Sequence, residues 1–107
     1  MANTYVNAKI DLTSTGVTTL YTCAALTTGI AKSILVSEDS GNADTITVTL
    51  TTAAGAVFSL FKTKSVGANA TVELLTEPLV VQTGEILKVT AATANRLHVV
   101  ASILEIT

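Results

Sequence analysis

The side chains best equipped for chemistry are few, and they do not form a set. His98 is the only imidazole and Cys23 the only thiol, while the densest acidic group is Glu38-Asp39 with Asp44 close behind. A hydrolytic triad needs a base beside a nucleophile and an acid behind it. His98 lies inside a strand pattern between Leu97 and Val99, so it reads as a partly exposed structural histidine, with a pH-sensing or interface role as the alternative. Cys23 is flanked by Thr22, Ala24 and Ala25, none of which carries a charge to stabilise a thiolate. It reads as a small buried hydrophobe.

Zinc requires several Cys and His ligands, and one of each is present. The Glu38-Asp39-Ser40-Gly41-Asn42-Ala43-Asp44 segment offers oxygen ligands for calcium, but not at the spacing of a helix–loop–helix calcium loop; a solvated turn is expected. Glycosidase chemistry needs two carboxyl groups across a cleft, with aromatic platforms for the sugar. The aromatics are only Tyr5, Tyr21, Phe58 and Phe61. The glycines are isolated, so no phosphate-cradling loop is formed. The expectation is a non-enzyme with no cofactor and no metal.

The elements that carry these residues are strands. Thr45-Ile46-Thr47-Val48-Thr49-Leu50-Thr51 alternates without a break, placing Ile46, Val48 and Leu50 on one face and threonines on the other. β-Branched side chains favour that pleated surface and disfavour a helix. Further strand patterns cover residues 5–12, 17–22, 29–36, 57–64, 71–75, 79–81, 85–91 and 97–106. Gly, Asn, Asp and Ser clusters punctuate them at the roughly 8–12-residue spacing of a sandwich or barrel. Pro78 opens its strand, where the lost donor is tolerated. Residues 29–36 and 45–51 are expected to pair as a hairpin across the 38–44 turn, and 57–64 to pair with 45–51. The fold class expected is all-β: an antiparallel sandwich or jelly roll of about eight strands, one domain over residues 1–107.

Composition limits the partners. Charged residues make up 13% of the 107-residue chain, against about 25% in an average soluble domain. Net charge is −2, and the six cations Lys9, Lys32, Lys62, Lys64, Lys88 and Arg96 are scattered, which argues against nucleic acid as a ligand. No stretch is long and apolar enough to be read as a membrane span, and Met1 to Tyr5 do not resemble a secretory signal, so synthesis in a cytoplasm is expected. So little charge implies that a partner covers part of the surface. The last strand is the leading candidate, because both its faces are largely apolar: Val99, Val100, Ile103, Leu104 and Ile106 are the predicted subunit-contact residues. A roof supplied by a loop of the same chain is the alternative.

Several stretches resemble the small virion structural proteins encoded by tailed bacteriophages. They are Ala2 to Ala8, Thr18-Thr19-Leu20-Tyr21-Thr22, Ala31 to Ser37, Gly67 to Leu75, Pro78-Leu79-Val80-Val81, Gly84 to Ala91, and Leu97 to Ile106. The resemblance implies a β-sandwich subunit of a phage particle. It would be a capsid decoration or cement protein, or alternatively a tail, neck or baseplate subunit or a carbohydrate-recognition module on the tail. The partners it implies are further copies of the chain, with a trimer favoured, and the major capsid protein or other virion proteins. The location it implies is the virion, assembled in the host cytoplasm.

Overall fold

The computed structural model describes residues Ala2–Thr107. Nine strands follow in order: β1 (Asn3–Asp11), β2 (Thr18–Thr22), β3 (Thr28–Glu38), β4 (Asp44–Thr51), β5 (Val57–Val66), β6 (Thr71–Glu73), β7 (Leu79–Val81), β8 (Ile86–Ala91) and β9 (Leu97–Ile106). They form two antiparallel sheets, one ordered β1-β9-β3-β6 with β7 also on β3, the other ordered β2-β8-β4-β5.

The chain is one long ribbon folded over on itself. β1 pairs with β9, β2 with β8, β3 with β6 and β7, and β4 with β5. Wrapping that ribbon brings β3 beside β9 and β4 beside β8, which closes the two sheets of a jelly roll. One expected pairing fails here: residues 29–36 and 45–51 are not a hairpin, because β3 and β4 lie in opposite sheets. The turn between them carries the chain across the sandwich, and the local hairpin is β4–β5 at the tip of the ribbon. At its open end the first and last described strands close together, with the Thr107 amide donating to the Ala2 carbonyl at 3.0 Å.

Period-two alternation decides what fills the core. Ile46 and Val48 of β4, Leu87 and Val89 of β8, Ile34 and Val36 of β3, and Leu97, Val99, Ala101 and Ile103 of β9 all point between the sheets and are fully buried. The second parity of β4 is threonine, and it makes a polar outer skin on the β2-β8-β4-β5 sheet. Cys23 is buried, its Sγ donating to the Thr27 carbonyl at 3.3 Å.

Two carboxylates stand in for backbone acceptors. The β3–β9 register slips between Ala31 and Ser33, a bulge that switches the inward parity of β3 from odd to even residues. In the gap between β6 and β7, Glu73 accepts from the Ile34 amide at 2.8 Å, from the Leu75 amide at 3.2 Å and from the Ser33 hydroxyl. Burial alone would raise the Glu73 carboxyl, but these donors outweigh it and hold it below its ordinary value. Glu38, 2% exposed at the end of β3, accepts from the amides of Ser40 (2.7 Å), Gly41 (3.1 Å) and Asn69 (2.9 Å) and from the Ser40 hydroxyl. Burial opposes ionisation there too, and the donors win, lowering the carboxyl from 4.5 to about 2. This one side chain ties the β3–β4 crossing to the β5–β6 turn.

Candidate interaction surface

The two outer faces differ in kind. On the β1-β9-β3 sheet the outward parity of β9 is His98, Val100, Ser102, Leu104 and Ile106. Register places Tyr5, Leu104, Ile30 and Val80 side by side across four strands. A parallel row runs Lys9, Val100, Leu35, Glu73. Tyr5 is 71% exposed, Val80 51%, Leu35 40% and Val100 38%, so no loop among the described residues roofs this face.

The five predicted contact residues divide by parity. Val100, Leu104 and Ile106 lie on the open face. Val99 and Ile103 do not: both are 0% exposed in the inter-sheet core, so as contact residues they are corrected to core residues. Sequence reasoning also missed Tyr5, Ile30, Leu35 and Val80. Ile30 and Leu35 have opposite parity in sequence and share a face only because of the bulge between them.

The residues with chemical potential are held apart. His98 Nε2 lies 3.2 Å from Asp11 Oδ1 and its Nδ1 3.4 Å from Asp39 Oδ2, at the rim of the open face. The acids of the 38–44 turn serve separate partners: Glu38 takes turn amides, Asp39 faces His98, and Asp44 accepts from the Thr93 amide at 3.0 Å. Among the described residues, no group of three or more His, Cys, Asp and Glu side chains is placed to share a metal ion. Tyr21, one of the four aromatics, is only 8% exposed. Burial raises its phenol, and its hydroxyl donates to Glu105 Oε2 at 2.6 Å, closing one end of the core. Gly29 makes room for that ring: a Cβ there would stand 2.9 Å from the Tyr21 hydroxyl.

A second surface feature is an open groove of about 540 Å³ between the free edge of β5 and the β6–β7 connection, lined by Leu60, Phe61, Val72, Leu75, Pro78 and Leu79. Thr63, with φ at 50°, kinks β5 beside it, and Lys62 and Lys64 are exposed there, features that discourage strand addition to a free edge.

No protein-family model matches the chain, and neither does any curated protein sequence. Among solved structures, the fold is similar to a chain of the Bacillus endospore appendages, a family of disulfide-linked pili. That similarity has a TM-score of 0.55 and 11% identity, and covers 100% of this chain and 91% of that one. A chain of infectious bursal disease virus, Gt strain, aligns with a TM-score of 0.42 at 9% identity, over 98% of this chain and 30% of the longer viral one. At such identities the first likeness is one of fold alone: the chain is an all-β antiparallel sandwich of jelly-roll topology.

Proposed function

We propose that this chain is a non-enzymatic structural subunit of a virus particle, a capsid decoration or cement protein of a tailed bacteriophage. In that role it binds the capsid lattice and further copies of itself through apolar contacts. The observation that carries this reading is the open apolar face on a domain with little charge. Six basic and eight acidic residues, fourteen in all, serve 5661 Å² of accessible surface. That leaves about 400 Å² per charge, near the largest apolar patch that a typical monomer tolerates.

The function is mechanical. Each contact removes apolar area from water at about 25 cal/mol per Å² before ordering costs, and repetition around a lattice multiplies modest contacts into a stiff shell. The appendages with a similar fold are disulfide-linked. Here the one cysteine is buried in the core, so the reading rests on apolar contacts and not on such a linkage. The resemblance of the sequence to phage virion proteins supports a phage particle, and a small chain with no fibre repeat or coiled-coil heptad favours the capsid within it, with the tail, neck or baseplate as the second location.

The test is to add the purified chain to phage particles lacking it and measure co-sedimentation and the temperature of genome release. Saturable binding with a higher release temperature is expected. A chain that never co-sediments with capsid or tail refutes the proposal.

A further inference from the structure

Resting on that reading of the chain as an assembly subunit, we infer that the open face of the β1-β9-β3 sheet docks a second copy. The two copies stack face to face about a two-fold axis parallel to the strands, running between β9 and β3. The evidence is the order of charges across the sheet. One row reads Lys9, Val100, Leu35, Glu73, cationic at the β1 edge and anionic at the β6 edge. A two-fold along the strands reverses the order across the sheet and preserves position along it. Lys9 then lies over the partner's Glu73, and Val100 over the partner's Leu35. The next apolar row obeys the same rule, with Tyr5 over the partner's Val80 and Leu104 over the partner's Ile30; between the two lies a polar row of Asn7, Ser102 and Ser33, with Lys32 exposed at the bulge beside it.

Other symmetries fit worse. A two-fold lying across the strands brings the charged row onto the apolar one, leaving Lys9 against the partner's Tyr5 and Glu73 against the partner's Val80. Desolvating unpaired charge in that way is strongly unfavourable. A two-fold normal to the sheet sets copies side by side and covers nothing. Sheet twist is no obstacle, because a saddle-shaped face is carried onto itself by a two-fold along its strands. Glu73 keeps acceptor capacity for the contact: a carboxylate offers about four lone-pair sites, and the chain uses three of them.

The size also fits. Four strand positions at about 4.8 Å and nine residues at about 3.4 Å give a face of roughly 19 by 30 Å. Two such faces bury roughly 1,100 Å², just above the lower bound of about 1,000 Å² for a specific interface. On the opposite sheet the outward parity of β4 offers threonine in place of these apolar rows, and the exposed apolar residues Val57 and Phe58 are confined to the first turn-side positions of β5. A three-fold ring, the assembly implied by the phage resemblance, joins two different surfaces of each copy, so pairing of this face with itself is a contact separate from the one that would close a ring.

Zero-length carbodiimide coupling of a mixture of ¹⁵N-labelled and unlabelled chain tests the arrangement. Within one copy Lys9 and Glu73 stand three strand positions apart, roughly 14 Å, too far for a direct amide. A mixed-isotope Lys9–Glu73 peptide is therefore expected, together with a dimer in sedimentation velocity. Leu104→Arg should weaken association at least tenfold with an unchanged far-ultraviolet circular dichroism spectrum, and Val80→Arg, at the exposed edge, should do the same if Leu104→Arg misfolds. An oligomer that persists in both variants and lacks the Lys9–Glu73 peptide overturns the inference but leaves the subunit reading standing. So does a chain that is monomeric in solution yet binds particles. A chain that neither self-associates nor binds particles overturns both.

Discussion

Replacing Glu73 with alanine removes an acceptor that no backbone group can replace. Ile34 is fully buried, and its amide donates to Glu73 at 2.8 Å because the gap between β6 and β7 leaves it no strand carbonyl. The Ser33 hydroxyl and Leu75 amide lie in exposed settings and turn to water at little cost. The loss is therefore that of one orphaned buried donor, about 2 kcal/mol, since the carboxylate's own charge is screened by solvent. For a domain of this size that is roughly a 10 °C fall in Tm. Glu73→Gln, which keeps an oxygen for Ile34, should lose about half as much. Scanning calorimetry with denaturant titration at pH 7 measures both. The folded-state carboxyl is lowered from 4.5, so its stabilisation is full above that ordinary value and fades as pH falls through the lowered one. The gap between wild type and Glu73→Ala should narrow accordingly in acid. An alanine variant within about 0.5 kcal/mol of wild type at pH 7, or a gap unchanged in acid, would refute the assignment of this carboxylate as a surrogate strand acceptor.

Other positions give independent checks. Gly29→Ala places a methyl 2.9 Å from the Tyr21 hydroxyl and 3.1 Å from its Cε2, so it should cost about 1–3 kcal/mol. Combined with Tyr21→Phe, the two losses should not add in a denaturation cycle, because both act on the Tyr21–Glu105 bond. Thr51 Oγ1 is buried without a partner, so Thr51→Val should hold or raise stability, by up to about 1 kcal/mol, in the same assay. For Glu38, lowered from 4.5 to about 2, Tm should decline as pH falls from about 4.5 toward 2. Glu38→Gln should flatten that part of the profile.

The strands were legible in the sequence because period-two alternation and β-branched content act locally, and β4 shows both within eight residues. Their partners were not. A jelly roll pairs β1 with β9 and β3 with β6, and nothing in residues 29–36 encodes a neighbour that arrives from residue 71 onward. The parity of β9 was ambiguous because both faces are apolar, although His98 and Ser102 share the outward set and marked it. The bulge after Ala31 had no such marker. It depends on Glu73, a residue distant in sequence that occupies the gap it serves, and so Ile30 and Leu35 could not be assigned to one face.

The hydrogen bond between Thr107 and Ala2 has a topological consequence. With Thr107 hydrogen-bonded to Ala2 and Asn3 opposite Ile106 in register, the backbone is nearly a closed loop. A short linker joining the ends, with a new opening at the exposed Ala53-Ala54-Gly55 turn, would yield a circular permutant that retains all its ladders. A segment leading into residue 2 or out of residue 107 leaves from the pole where Ala2 and Thr107 are hydrogen-bonded. Cargo on the permutant would leave from the β4–β5 turn, so the attachment point for display can be moved without altering a single packed side chain.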